Sequence, residues 1–83
     1  MAGRDDRTTS ASLRRELELV EAEIARLRES AAELRRQIGE RWFDPTDEAE
    51  RAALITAAEE QEALVDSLEA RREQLRKRIE TVE

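Results

Sequence analysis

LRRELELVEAEIARLRESAAELRRQI, residues 13–38, is the stretch that decides the fold of this chain. Its apolar residues recur at alternating intervals of four and three, the spacing that keeps one apolar stripe facing a neighbouring helix. The members of this first stripe are Leu13, Leu17, Val20, Ile24, Leu27, Ala31, Leu34 and Ile38. Neither proline nor glycine interrupts the stretch, so it predicts one long helix with a coiled-coil seam.

A second stripe with the same spacing runs through the carboxyl-terminal half of the chain. Its members are Leu54, Ala58, Gln61, Val65, Leu68, Arg72, Leu75, Ile79 and Val82. Gln61 and Arg72 are its polar exceptions. Polar residues at core positions reduce the stability of a coiled coil but fix its register or oligomeric state, which is one interpretation of both. The other is that the stem of Arg72 packs on the seam while its guanidinium stays in water.

The connection between the stripes is GERWFDPTD, residues 39–47, which holds both aromatic residues and the only proline. Asp44 is suited to cap a helix in which Pro45 takes the first position, where its missing N–H costs nothing. A short connection between two long helices predicts that they are antiparallel neighbours. The expected fold is all-α, an antiparallel two-helix coiled-coil hairpin.

The predicted boundaries follow from these signals. Residues 1–11 are polar, small and without periodicity, and are predicted to be a disordered amino-terminal segment. The hairpin is then expected to occupy residues 12–83, with a helix over 12–41, a tip at 42–46 and a helix over 46–82.

The two stripes can be matched, because in an antiparallel pair each step forward along one helix is a step back along the other. One register places a seam residue opposite every seam residue of the first helix, with Ile38 facing Leu54 and Ile24 facing Leu68. It predicts the flanking ion pairs Glu23–Arg71, Glu16–Arg78 and Arg28–Glu62. It also brings together the like charges Glu21 with Glu69 and Arg14 with Arg76, which suggests that this flank faces a second chain.

Self-association is expected because two helices of an 83-residue chain bury little apolar surface. The apolar face of the second helix is widened near the tip by Ala53, Ile55, Ala57 and Leu64. One partner helix does not cover so wide a face, so we predict a homodimer that forms a four-helix bundle.

The composition excludes several classes of chemistry. The chain has no cysteine and no histidine, which excludes disulfides, thiol nucleophiles and imidazole catalysis and fits a reducing cytoplasm. Its net charge of −6 repels nucleic acid, and no apolar run approaches the length of a membrane span. The acidic residues that surround the proline are explained by helix capping rather than by a metal site. We therefore expect no enzyme, no cofactor and no metal.

Trp42 and Phe43 allow two interpretations. They either close the apolar end of the bundle by packing on Ala49 and Ala53 or remain exposed as an anchor for another protein. The predicted function is a non-enzymatic protein–protein interaction or regulatory adaptor module, and a purely structural self-assembly spacer is an alternative. The predicted partner-binding residues are Trp42, Phe43, Asp44, Asp47, Leu64, Arg71 and Arg72.

A second alternative comes from a resemblance carried by GERWFDPTDEAE, residues 39–50, and the hairpin around it. Over residues 13–83 the chain resembles the amino-terminal coiled coil of the Gre transcript-cleavage factors. The resemblance implies a regulator of RNA polymerase that enters the secondary channel and reaches the catalytic magnesium with Asp44, Asp47 and Glu48. The bulk of Trp42 and Phe43 departs from that pattern.

Overall fold

The computed structural model of the protein describes the backbone of residues 2–40 and 48–83, and the side chains from residue 9 onward within these ranges. Helix α1 spans Ala2–Glu40 and helix α2 spans Glu48–Val82. The two helices pack against each other in a body that measures 67 × 14 × 14 Å. The described part of the chain is an all-α helical hairpin, as the two stripes predict.

Ion pairs between the helices fix their direction. Arg14 contacts Glu83, Arg28 contacts Glu69 and Arg35 contacts Glu62, so each advance along α1 is matched by an equal retreat along α2. The helices are therefore antiparallel.

The same contacts agree with the predicted register. In that register Ile24 faces Leu68. Arg28 lies four residues after Ile24, and its partner Glu69 lies one residue after Leu68. On the opposite side of the seam the facing residues are Leu17 and Leu75. Glu16 lies one residue before Leu17, and its partner Arg71 lies four residues before Leu75. The two displacements are equal and opposite, so their midpoint is the register in which Ile24 faces Leu68.

The core of the hairpin consists of seam residues. The buried apolar side chains are Leu13, Ile24, Ala31, Ile38, Ala58, Val65 and Leu75. Every other member of the two stripes is half-buried, and none is exposed. This gradation follows from a body only two helices thick, in which each seam residue is covered from one side by the partner helix and is reached from the flanks by water.

The helix boundaries differ from the predicted ones at the amino end. Helix α1 begins at Ala2 rather than at residue 12, so residues 2–11, predicted to be disordered, are helical. No proline interrupts residues 2–11, and the hydroxyl of Ser10 donates a 2.6 Å hydrogen bond to the Glu83 carboxylate, which ties this segment to the end of α2. At the other end α1 stops at Glu40, and the predicted tip, 42–46, lies outside the described residues.

Candidate protein-interaction surface

The two sides of the seam differ in chemistry, and each is named by its coiled-coil positions with Ile24 taken as position a. The e flank consists of Arg14, Glu21, Arg28 and Arg35 of α1 and Ile55, Glu62, Glu69, Arg76 and Glu83 of α2. The g flank consists of Glu16, Glu23, Ser30 and Gln37 of α1 and Glu50, Ala57, Leu64, Arg71 and Arg78 of α2.

Ion pairs close the e flank. The Nε and Nη2 atoms of Arg35 donate hydrogen bonds of 3.0 and 2.7 Å to the two carboxylate oxygens of Glu62. Arg28 donates a 2.7 Å hydrogen bond to Glu69. Arg14 binds Glu83 through both Nε and Nη2.

The predicted like-charge contacts on the e flank are therefore wrong. Glu69 contacts Arg28 and Arg14 contacts Glu83, where the simple matching of facing residues placed Glu21 and Arg76. Each observed pair joins an arginine of α1 to the e residue of α2 one heptad further along than the matching predicts. This flank is closed within the chain, so its charges do not call for a second copy.

The predicted partners of individual charged residues need the same correction. Glu62 binds Arg35 instead of Arg28. Arg71 binds Glu16 instead of Glu23, and Glu23 pairs with Arg26 on its own helix. The seam register is correct, whereas the reach of long side chains shifts the flanking pairs.

Hydrogen bonding across the e flank shifts the pKa of its carboxyl groups. The pKa of Glu62 lies below its ordinary value because Arg35 donates hydrogen bonds to the carboxylate. The pKa of Glu83 is lowered by hydrogen bonds from Arg14 and, secondarily, from Ser10. The same contacts raise the pKa of Arg35 and of Arg14.

These shifts predict how acid affects the hairpin. A carboxyl group with a lowered pKa in the folded state stabilises that state fully above its unfolded pKa, about 4.3 for glutamate, and this contribution is lost as the pH falls through the folded pKa. We expect the wild-type protein to melt at a higher temperature than a Glu62→Gln, Glu83→Gln variant at neutral pH. The difference should disappear in strong acid, as followed by circular dichroism.

A matched variant separates the ion pairs from the general effect of losing two charges. Glu18 and Glu29 are exposed on α1 outside both flanks, and the Glu18→Gln, Glu29→Gln variant removes the same charge. Its melting temperature should stay close to that of the wild type at every pH. A wild-type advantage over the Glu62, Glu83 variant that is equally large at neutral and acidic pH would contradict this account of the e flank.

The g flank is different because its central positions are short or apolar. Glu16 and Arg71 form an ion pair across it near the open end of the hairpin. Towards the tip the g positions include Ser30, Ala57 and Leu64, which have no charged group. Leu64 is 53% exposed.

Burial of the leucines at the d positions, which border the g flank, follows this difference. Beside the Glu16–Arg71 pair, Leu75 is fully buried and Leu13 is buried. Where the g positions are short, the leucines at the neighbouring seam positions are only half-buried. The result is a continuous, partly open apolar surface, here called the g face. It consists of Leu27, Ser30 and Leu34 of α1 and Leu54, Ala57, Gln61, Leu64 and Leu68 of α2.

Gln61 lies in the centre of the g face on α2. Gln61 as a whole is half-buried, but its side-chain oxygen is fully buried and has no hydrogen-bond partner among the described residues. An unsatisfied buried acceptor costs about 1–3 kcal/mol, so the hairpin by itself accommodates this residue poorly.

The structure places the predicted partner-binding residues in three different environments. Leu64 lies on the g face. Arg71 lies at the border of the g face, where it forms an ion pair with Glu16. Arg72 is a half-buried seam residue whose guanidinium lies 3.9 Å from Glu69, which belongs to the e flank, whereas Leu64 belongs to the g flank. Trp42, Phe43, Asp44 and Asp47 lie outside the described residues.

One exposed leucine was missed by the stripe pattern. Leu19 is 67% exposed and belongs to neither seam nor flank. The only sequence signal was a leucine out of phase with the four-and-three spacing, between Leu17 and Val20.

Other features of the described residues bear on function. Neither helix contains an apolar stretch long enough to cross a membrane. No group of three or more acidic side chains within residues 9–40 and 48–83 is arranged to hold a metal ion. Comparison with protein-family models, with curated proteins and with solved structures finds no significant match. The resemblance to the Gre factors stays a prediction.

Proposed function

We propose that the protein is a non-enzymatic protein–protein interaction or regulatory adaptor module that works as a homodimeric four-helix bundle. The observation that carries the proposal is the g face, where Leu64 is 53% exposed beside half-buried seam leucines. Contiguous apolar surface of this kind is characteristic of surfaces that bind other proteins. A second hairpin that packs on the g face supplies the cover that the hairpin lacks.

The tip is the proposed site for a different protein. Trp42 and Phe43 stand next to each other in the connection between α1 and α2, with Asp44 and Asp47 beside them. Tryptophan is among the residues that most often dominate binding energy at interfaces, and the flanking carboxylates favour a partner with basic groups. In this proposal the g face serves assembly, and the tip serves recognition.

The tip proposal is tested by affinity capture with the full chain as bait, followed by mass spectrometry and by titration of the captured protein. Trp42→Ala should weaken binding by about 2 kcal/mol or more, while its helix content by circular dichroism stays that of the wild type. Leu19→Ala removes an exposed apolar side chain elsewhere and should bind as the wild type does. A protein captured equally well by all three baits would overturn the tip as its binding site, and the absence of any captured protein would favour the self-assembly spacer.

The dimer proposal is tested by sedimentation equilibrium over a wide range of protein concentration. The chain has a mass of 9.6 kDa. We expect twice that mass at the higher concentrations and a melting temperature that rises with concentration, because dimerisation stabilises the folded state by mass action. A single 9.6 kDa species throughout would overturn the dimer.

A further inference from the structure

We infer that the occupant of the g face is a second copy bound in the antiparallel orientation, with a two-fold axis at the level of Ser30 and Gln61. This inference rests on the proposed dimer and specifies its geometry. A two-fold interface is isologous, so if one residue contacts a second residue of the other copy, the reverse contact also occurs. A surface suited to such an interface must be complementary to itself.

The part of the g face on α2 has this property. Leu54 and Leu68 lie seven residues before and seven residues after Gln61, and Ala57 and Leu64 lie four before and three after. When two copies of α2 pair antiparallel about Gln61, Leu54 lies opposite Leu68, and small Ala57 lies opposite the exposed Leu64. The protruding leucine thus meets the shallowest point of the other copy.

Helix α1 has the same symmetry at the same level. Leu27 and Leu34 lie three residues before and four residues after Ser30, whose small side chain permits close approach on the axis. In the register of the hairpin Ala31, the neighbour of Ser30, faces Gln61. The symmetric apolar patterns of α1 and α2 therefore have their centres at the same level of the hairpin, although the sequence of one helix does not determine the centre of the pattern on the other.

Charges at the border of the surface are complementary under the same operation. Glu50 and Arg71 lie eleven residues before and ten residues after Gln61, so each meets the opposite charge of the other copy. Arg26 and Glu33 stand in the same relation about Ser30. Glu60 meets its own copy near the axis, but it is exposed, so that water screens the repulsion.

The limits of the open surface match this geometry. Pairing about Ser30 and Gln61 leaves the open end of each hairpin outside the interface. At the border towards that end the Glu16–Arg71 pair already closes the g flank, and beyond this border Leu13 and Leu75 are buried without a second copy. Within the interface, the two Gln61 amides meet on the axis and supply the hydrogen-bond donor that the buried Gln61 oxygen lacks.

The orientation is tested by a spin-label distance measurement on the dimer. The chain has no cysteine, so a Thr81→Cys variant of the full chain carries one label at an exposed position. Thr81 lies twenty residues from Gln61, which predicts about 60 Å between the labels of the two copies at 1.5 Å per residue. With the two tips at the same end, the labels would be about 20 Å apart.

The surface is tested by Leu64→Lys, with Ala63→Lys as the matched control on the outer side of the same helix. Both residues are exposed in the hairpin, so both variants should keep its helix content. We expect Leu64→Lys to raise the dimer dissociation constant at least about tenfold, and Ala63→Lys to leave it unchanged.

The outcomes separate this inference from the proposed function. A dimer with labels about 60 Å apart that Leu64→Lys weakens supports it. A dimer with labels about 20 Å apart, or one that both lysine variants leave intact, overturns the antiparallel g-face interface and leaves the proposed dimer standing. A chain that stays monomeric overturns both.

Discussion

Replacing Leu75 with alanine is expected to lower the free energy of unfolding by about 2–5 kcal/mol. Leu75 is fully buried, and the predicted register places Leu17 opposite it. Truncation removes apolar contact and leaves a cavity that the thin body can close only by moving the helices together. Since the total stability of a small domain is about 5–15 kcal/mol, this is a large share of it. Urea unfolding followed by circular dichroism at a fixed protein concentration measures the loss.

Leu19→Ala is the control for this truncation. It makes the same chemical change on the same kind of helix, but Leu19 is 67% exposed. We expect a change within about 0.5 kcal/mol, as is usual for surface substitutions. Equal losses from the two variants would show that Leu75 is no more buried than Leu19, which would contradict the seam.

The second large effect has the opposite sign. At a protein concentration low enough to keep the hairpin monomeric, Gln61→Leu is expected to raise the free energy of unfolding by about 1–3 kcal/mol, because it removes a buried oxygen without a partner and adds an apolar side chain to the seam. The gain should come with a loss of uniqueness. Polar residues at core positions select one orientation among several, so spin-label distances from Thr81→Cys should broaden or become bimodal in this variant.

Gln74→Leu is the matched control for the gain in stability. Gln74 is exposed on the same helix, so the substitution changes no buried group. It should leave the free energy of unfolding nearly unchanged. A destabilised Gln61→Leu variant at low protein concentration would mean that the Gln61 oxygen already has a hydrogen-bond donor within one hairpin, which would contradict its proposed role on the two-fold axis.

The sequence predicts the seam of this fold well. Among the residues that the structure describes, each buried apolar side chain belongs to one of the two stripes, because burial repeats with the same period as the helix. The register was also predictable, since it places a member of the second stripe opposite every member of the first stripe along the whole of residues 13–38. Antiparallel packing followed from the short connection that contains Pro45.

The flanks were less predictable because they depend on side-chain reach rather than on backbone period. Arg28 contacts Glu69, and Arg35 contacts Glu62, although facing-residue matching paired Arg28 with Glu62. The contrast between a closed e flank and an open g face depends on these contacts and on the small size of Ser30 and Ala57. The start of α1 at Ala2 could not be predicted, because residues 2–11 have no apolar periodicity.

The central claim is that the chain doubles back, so that residue 12 and residue 81 lie at the same end. A distance measurement between spin labels on a Ser12→Cys, Thr81→Cys variant, diluted with excess unlabelled protein so that only labels within one chain are seen, tests it directly. The hairpin predicts a separation of about 20 Å. One uninterrupted helix, or two straightened chains paired with each other, would place the labels about 100 Å apart and would contradict it.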